Sequence, residues 1–296
     1  MLLVTGANGN LGRSIIGNLR KLVGPKEFAV ATRNVETPFV RGLAQEGVEV
    51  RRADFDDASS LPGAFAGIEK ALIISTYSDN SVRLQQNLRA LSAARAAGVR
   101  HFIYTSFAGA SPRSLSEHSR LVHYPTEQAI RESGLQYTIL RHALYAEVTV
   151  QDVDETLASG VLYRCGGEAA CAYIAREDLG LSAATVLARA GHENRIYTET
   201  MASPLTGREI ARALSDTFGR PVEYRALDPE EWAQYMMRTW HLPEPLARSA
   251  MGTMRAIAAG EFDLASNDYQ SITGRAPRSY GEFLRGVKAA REQTAG

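Results

Sequence analysis

Near its start the chain reads Val4-Thr5-Gly6-Ala7-Asn8-Gly9-Asn10-Leu11-Gly12, a stretch with glycines at positions 6, 9 and 12. It follows a short apolar run, residues 2–5, and precedes a segment of helical period, residues 11–22. Glycines at this spacing permit a tight turn, close approach of backbone N–H groups to a pyrophosphate, and close packing of helix on strand. The stretch predicts a dinucleotide-binding loop with these contact residues: Gly6, Asn8, Gly9, Asn10, Leu11 and Gly12. A purely structural turn is the alternative.

The alternation of apolar runs and helical segments continues to about Tyr145. It is typical of a parallel sheet with crossover helices. Six candidate strands cover residues 2–5, 28–32, 48–51, 71–75, 101–105 and 137–140. A helix over residues 82–97 is predicted from the recurrence of Leu84, Leu88, Leu91 and Arg95. We therefore expect an α/β protein, with a Rossmann-type doubly wound parallel sheet of six strands.

After Tyr145 the predicted strands become shorter, at residues 161–163, 195–198 and 222–226. Helices are predicted over residues 178–190, 206–218 and 229–237. We expect a Rossmann domain at residues 1–148 and a smaller C-terminal α/β lobe on the substrate side at residues 149–296. Part of residues 160–200 is expected to return and pack on the Rossmann sheet. An apolar cluster around Trp232 and Trp240 either lines the substrate cleft or packs the core of the lobe.

The composition argues against several classes of protein. Lys and Arg number 33, as do Asp and Glu, so the net charge is zero and no overall positive field favours nucleic acid. The apolar runs are far shorter than the roughly 20 residues that span a bilayer, and the N-terminus shows no targeting leader, so we expect a cytoplasmic protein. Two cysteines, Cys165 and Cys171, and histidines without paired spacing predict no metal site. The expected partner is a small molecule, and the sequence is compatible with a monomer or a homodimer.

The end of the second strand predicts which dinucleotide binds. An NAD site places an acidic residue there, about 20 residues beyond the glycines. This chain has Arg33 instead, which can form charge-assisted hydrogen bonds with a 2′-phosphate, so we predict NADP(H). A solvated arginine on a surface turn is the alternative. Asp54 and Phe55, just past the third strand, are expected beside the adenine. The hydroxyl groups that end the fourth and fifth strands are also expected at the coenzyme: Ser75, Thr76, Thr105 and Ser106.

The catalytic Tyr and Lys pair of short-chain dehydrogenases, four residues apart, is absent. Only four lysines occur, at positions 21, 26, 70 and 288, and no Tyr has a Lys at the fourth following position. Alcohol oxidation or ketone reduction by that pair is therefore not expected. Without its partners, Ser106 is equally well explained as a loop hydroxyl.

The motifs together resemble those of one family, the NmrA-like branch of the atypical short-chain dehydrogenase/reductases. The stretches that carry the resemblance are the glycine loop, Arg33-Asn34, Ala53-Asp54-Phe55, Tyr104-Thr105-Ser106, His123-Tyr124-Pro125-Thr126-Glu127 and Leu140-Arg141-His142-Ala143-Leu144-Tyr145. The resemblance covers nearly the whole chain. It implies an NADPH-dependent reductase of quinones or related conjugated electrophiles that acts by direct hydride transfer. Because the family also contains NADP(H)-binding redox sensors, a non-catalytic regulator is the alternative.

The resemblance also implies which residues lie at the reacting end. The family replaces the missing Tyr and Lys by a His and a Glu, which His123 and Glu127 match, and residues 141–147 border the nicotinamide and the substrate. Relatives carry Asn after Arg141, whereas this chain has His142, whose imidazole can donate or accept a hydrogen bond. The candidate catalytic residues are thus His142, Tyr145 and His123. The alternatives are a packed aromatic ring for Tyr145 and a helix-ordering role for His123.

Overall fold

A parallel sheet of seven strands forms the centre of the molecule in the computed structural model, which describes residues 1–295. The strands of the chain are β1 (Leu2–Thr5), β2 (Phe28–Thr32), β3 (Glu49–Arg52), β4 (Lys70–Ile74), β5 (His101–Phe107), β6 (Gln136–His142), β7 (Leu144–Tyr145), β8 (Val161–Cys165), β9 (Tyr173–Ile174), β10 (Arg195–Glu199) and β11 (Glu223–Leu227). The helices are α1 (Asn10–Leu19), α2 (Pro38–Gln45), α3 (Leu61–Phe65), α4 (Asn80–Ala96), α5 (Tyr124–Glu132), α6 (Val153–Ser159), α7 (Arg176–Ala188), α8 (Gly207–Phe218), α9 (Pro229–Thr239), α10 (Glu244–Ala258), α11 (Asp268–Thr273) and α12 (Tyr280–Ala295).

The order of strands in the central sheet is β3-β2-β1-β4-β5-β6-β10, and all neighbours are parallel. The chain runs from β1 outward to β3 and then crosses back to β4 on the other side of β1. At such a reversal the connections leave the carboxyl ends in opposite directions and open a crevice. The fold therefore places a crevice between β1 and β4, directly at the glycine loop.

Helices cover both faces of the sheet. On one face α1 and α7 bury Ile16 and Leu179 against the strands. On the other face α3 buries Phe65 beside α4. The contact of α1 with α7 is close, because a Cβ on Gly180 would overlap the Ser14 side chain. The sheet is thus buried on both faces, as parallel sheets require.

The six predicted strands of the first half all form, with ends within two residues of those expected. The prediction of a six-stranded sheet was wrong by one strand, since β10 pairs with β6 along Arg195–Glu199 and extends the sheet. The pairing of β10 with β6 could not be predicted, because the two strands are far apart in the chain and the sequence of a strand does not show which strand it pairs with. Residues 176–199 therefore lie on the central sheet, as α7 and β10.

Much of the rest of the second half surrounds the two-stranded parallel pair β8 and β11, whereas α11 packs against α7 and β10. Trp232, Tyr235 and Met236 of α9 are buried in a cluster that also includes Ala247 of α10. None of the described helices in residues 1–295 is long and apolar enough to cross a membrane. The division into domains at residue 148 stays a prediction.

Candidate active site

Two adjoining cavities follow the carboxyl edge of the sheet. The smaller cavity, about 280 Å³, lies between the glycine loop and the ends of β2 and β3. The larger cavity, about 510 Å³, lies at the ends of β4, β5 and β6 and is closed on one side by α10. Both are lined by Gly6, Gly9 and residues 74–78, so they form one cleft. This cleft occupies the crevice that the strand order creates.

The glycine loop has the geometry that its sequence predicts. Gly6 has a φ of +67°, a conformation that side chains with a Cβ rarely adopt. A Cβ on Gly12 would lie 2.2 Å from the Gly6 carbonyl oxygen, so only glycine fits there. Gly9 precedes α1, and Asn10 and Leu11 begin that helix at the wall of the larger cavity. The N-terminus of α1 therefore faces the cleft with its partial positive charge.

The Asn8 side chain ties the glycine loop to the end of β2. Its Nδ2 donates to the Thr32 Oγ1 at 2.9 Å and to the Asn34 carbonyl at 2.8 Å. Its Oδ1 accepts a hydrogen bond of 2.6 Å from the Thr37 hydroxyl, a contact that the sequence did not reveal. Asn8 lines the smaller cavity, and these bonds hold the loop beside Arg33.

Arg33 lines the smaller cavity together with Asp54 and Phe55. Its side chain is exposed, and within residues 1–295 no carboxylate forms an ion pair with it. Because the Arg33 guanidinium is exposed and not engaged by a carboxylate, its N–H donors are available to bind a phosphate. The positions predicted for the adenosine end therefore come together, and they fit a 2′-phosphorylated dinucleotide.

The four hydroxyl residues predicted at the ends of β4 and β5 all line the larger cavity. Their side chains also hold the cleft together. The Thr105 Oγ1 accepts a hydrogen bond of 3.0 Å from the Ser75 backbone N–H, and the Thr76 hydroxyl donates to Gln86. The Ser106 hydroxyl donates to the Glu127 Oε1 at 2.7 Å.

Glu127 is fully buried and forms the centre of an ion-pair network. The Arg141 guanidinium donates to its two oxygens at 2.9 and 2.6 Å. These hydrogen bonds raise the pKa of Arg141. Because Glu127 also accepts from Ser106, it joins α5 to the ends of β5 and β6. The structure thus places Glu127 behind the cleft wall, where it positions those strands.

His142 and Tyr145 both line the larger cavity. His142 is buried, and its Nε2 lies 3.4 Å from an oxygen of the buried Glu199 of β10. The Arg176 guanidinium lies 5.4 Å from the centre of the Tyr145 ring. Burial raises the pKa of Tyr145 to about 12, so its hydroxyl is protonated at neutral pH and can donate a hydrogen bond.

His123 belongs to a buried polar cluster in the same cavity. Its Nδ1 lies 3.0 Å from the Tyr104 hydroxyl, and its Nε2 lies 3.2 Å from the Nε2 of His118. Arg83 contacts both imidazoles. Burial, followed by the charge of Arg83, lowers the pKa of His118 to about 3. Burial also lowers the pKa of His123 well below its usual value, so both rings are neutral at neutral pH.

Sequence reasoning missed polar residues of the cleft on a helix that it did predict. The helix expected over residues 82–97 forms as α4, and it buries Arg83 at the larger cavity and Gln86 at the smaller one. Leu84 and Leu88 are only partly buried, whereas Leu91 lies in the core. The N-terminal half of α4 therefore borders the polar cleft, and its C-terminal half packs on the apolar core.

The wall of the larger cavity on the lobe side comes from α10, through Leu246, Ala250 and nearby residues. No local pattern predicts this contribution of α10, because it depends on how the lobe packs against the sheet. The Trp232 cluster packs the lobe and does not line this cavity.

Known proteins are similar to this chain over almost their whole length. Quinone oxidoreductase 2 of Escherichia coli is 34% identical over 89% of this chain and 90% of its own. An NAD(P)H azoreductase of Xenophilus azovorans is 30% identical over 98% of this chain and 99% of its own. The crystal structure of a Citrobacter triphenylmethane reductase complexed with NADP(H) matches 96% of this chain and 99% of its own, with a TM-score of 0.88 and 35% identity.

The fold and the cleft define an NAD(P)H-dependent oxidoreductase of the Rossmann type. The model of the NmrA-like family matches residues 1–266. The chain therefore belongs to the NmrA-like family, and the resemblance of its motifs to that family is confirmed.

Proposed function

We propose that this protein reduces quinones or related conjugated electrophiles by direct hydride transfer from NADPH. The observation that carries the proposal is the continuity of the two cavities. The glycine loop and Arg33, which forms no ion pair within residues 1–295, border the smaller cavity, and the larger cavity has room for an organic acceptor. The relatives that are named for the reduction of quinones, azo compounds and triphenylmethane dyes support the same class of acceptor.

The cofactor is NADP(H), which supplies the hydride when bound. The residues of the chain bind and orient the coenzyme and the acceptor, and they exclude water from the cleft. The N-terminus of α1 and the glycine loop hold the pyrophosphate, and Arg33 holds the 2′-phosphate. In this proposal Tyr145, His142 and His123 face the acceptor, and the protonated Tyr145 hydroxyl donates a hydrogen bond to it. No Tyr and Lys pair is needed, because a reduced quinone can take its proton from solvent.

Turnover and binding, measured side by side, test this proposal. The purified protein is expected to oxidise NADPH in the presence of 1,4-benzoquinone, and faster than it oxidises NADH. A panel of quinones, azo dyes and imines extends the assay, while calorimetry measures coenzyme binding. Tight NADPH binding without turnover of any acceptor would instead support a redox sensor.

Arg33→Ala is expected to weaken NADPH binding roughly 10- to 100-fold, the loss of one or two charge-assisted hydrogen bonds. NADH binding should change little, since it lacks the 2′-phosphate. Calorimetry with both coenzymes measures the difference. Arg41→Ala is the matched control, because Arg41 is exposed, pairs with Glu36 and lies outside both cavities. Equal losses of affinity for NADPH and NADH would show that Arg33 does not contact the 2′-phosphate.

A further inference from the structure

A buried arginine, Arg83, lines the larger cavity without a carboxylate partner among residues 1–295. The Arg83 Nε donates to the Ser75 Oγ at 2.9 Å, its Nη1 lies 2.6 Å from the His118 Nε2, and its Nη2 lies 3.3 Å from the His123 Nε2. Arg83 is 9% exposed. All three partners are uncharged at neutral pH, since the pKa values of both imidazoles are lowered.

Another deeply buried arginine in the structure is neutralised. Arg164 pairs with Asp152 at 2.8 Å. No carboxylate forms an ion pair with Arg83 in residues 1–295, and no Asp or Glu of that part of the chain lines the larger cavity. Arg176, which also lines it, is paired with Glu147 at 3.4 Å. Within residues 1–295, Arg83 is therefore the guanidinium of this cavity wall that lacks a counter-charge.

A buried charge without a counter-charge is costly, and a ligand that supplies the counter-charge recovers that cost. Burial lowers the pKa of Arg83, which reflects this cost, yet a guanidinium stays cationic at neutral pH. Preorganised cationic donors stabilise most strongly the group on which negative charge develops. Arg83 lines the cavity in which we propose that the acceptor binds. The negative charge that it stabilises is therefore the one that develops on the acceptor during reduction.

We propose that Arg83, held by Ser75, His118 and His123, forms a subsite for the acceptor oxygen that becomes negative during reduction. The inference rests on the proposed function and names its substrate class: neutral or anionic carbonyl acceptors, with cationic acceptors disfavoured. When a hydride from NADPH adds to one quinone oxygen, an O–H bond forms, the ring π bonds rearrange to the aromatic pattern, and the displaced electron pair ends on the other oxygen, which gives the hydroquinone monoanion. A proton from solvent then completes the hydroquinone. Hydride addition to a cationic triphenylmethane dye forms one C–H bond and a neutral product, so no oxyanion needs stabilising.

The test compares three acceptors: neutral 1,4-benzoquinone, anionic 1,2-naphthoquinone-4-sulfonate and cationic malachite green. Arg83→Met is expected to lower kcat/KM for both quinones about 100-fold, as removal of an oxyanion donor does. For the dye kcat/KM should stay unchanged or rise. Arg83→Lys keeps the charge and should retain the preference for the anionic quinone. Arg95→Met, which changes an exposed arginine of the same helix, is the control.

A binding measurement separates this subsite from the proposed function. Calorimetry of hydroquinonesulfonate with the NADP⁺-loaded protein should show at least about tenfold weaker binding for Arg83→Met, whether or not any acceptor turns over. NADPH affinity should change less than about threefold. Loss of NADPH affinity would overturn the inference by placing Arg83 at the coenzyme. Equal slowing of quinones and dye, or a wild-type preference for the dye, would also overturn it.

Discussion

Gly12→Ala is expected to destabilise the protein by about 3 kcal/mol and to weaken NADPH binding roughly 100-fold. The added Cβ would lie 2.2 Å from the Gly6 carbonyl oxygen and 3.2 Å from the Ala7 Cα. Both contacts are with backbone, so the loop itself must move. That movement displaces the backbone N–H groups that we propose bind the pyrophosphate. Urea unfolding and coenzyme calorimetry measure the two effects.

Gly9→Ala is the matched control for Gly12→Ala. Its Cβ would lie 3.4 Å from the Gly6 oxygen, an ordinary contact, and its φ of −73° suits any residue. The free energy of unfolding should therefore change by less than about 1 kcal/mol. If Gly12→Ala were as stable as Gly9→Ala, the close approach of α1 to the loop would be wrong.

Glu127→Gln is expected to lower the free energy of unfolding by about 3 to 5 kcal/mol, the usual cost of breaking a buried ion pair. The amide keeps the shape of the side chain, but it cannot offer two negative oxygens to Arg141. It also leaves the Ser106 hydroxyl with a weaker acceptor. Denaturant unfolding measures the change.

Arg131→Gln provides the control for Glu127→Gln. Arg131 also reaches Glu127, but at 3.5 Å and with a side chain that is 36% exposed. Its loss should cost at most about 1 kcal/mol. A similar cost for both variants would mean that Glu127 is not the centre of the network.

The sequence was sufficient for the parts of the site that depend on local backbone chemistry. The glycine loop was predicted because its spacing and its place between strand and helix are both local. Arg33 was predicted because it follows β2 directly in the chain. Ser75 and Thr105 followed from the rule that parallel strands end at one edge of a sheet.

The parts that depend on distant contacts were not predicted. Arg83 was not singled out, because no local pattern of α4 marks a charged residue as buried. Part of residues 160–200 was expected against the sheet, but the pairing of β10 with β6 was not predicted, since β6 lies more than fifty residues earlier. The contribution of α10 to the cavity depends on how the lobe packs, which no local pattern states.

A crystal structure of the protein with NADPH and a quinone analogue bound is the decisive measurement. We expect the 2′-phosphate at Arg33, the pyrophosphate at the N-terminus of α1, and the analogue in the larger cavity with its oxygen at Arg83. A coenzyme bound elsewhere, or a larger cavity that excludes the analogue, would contradict this expectation.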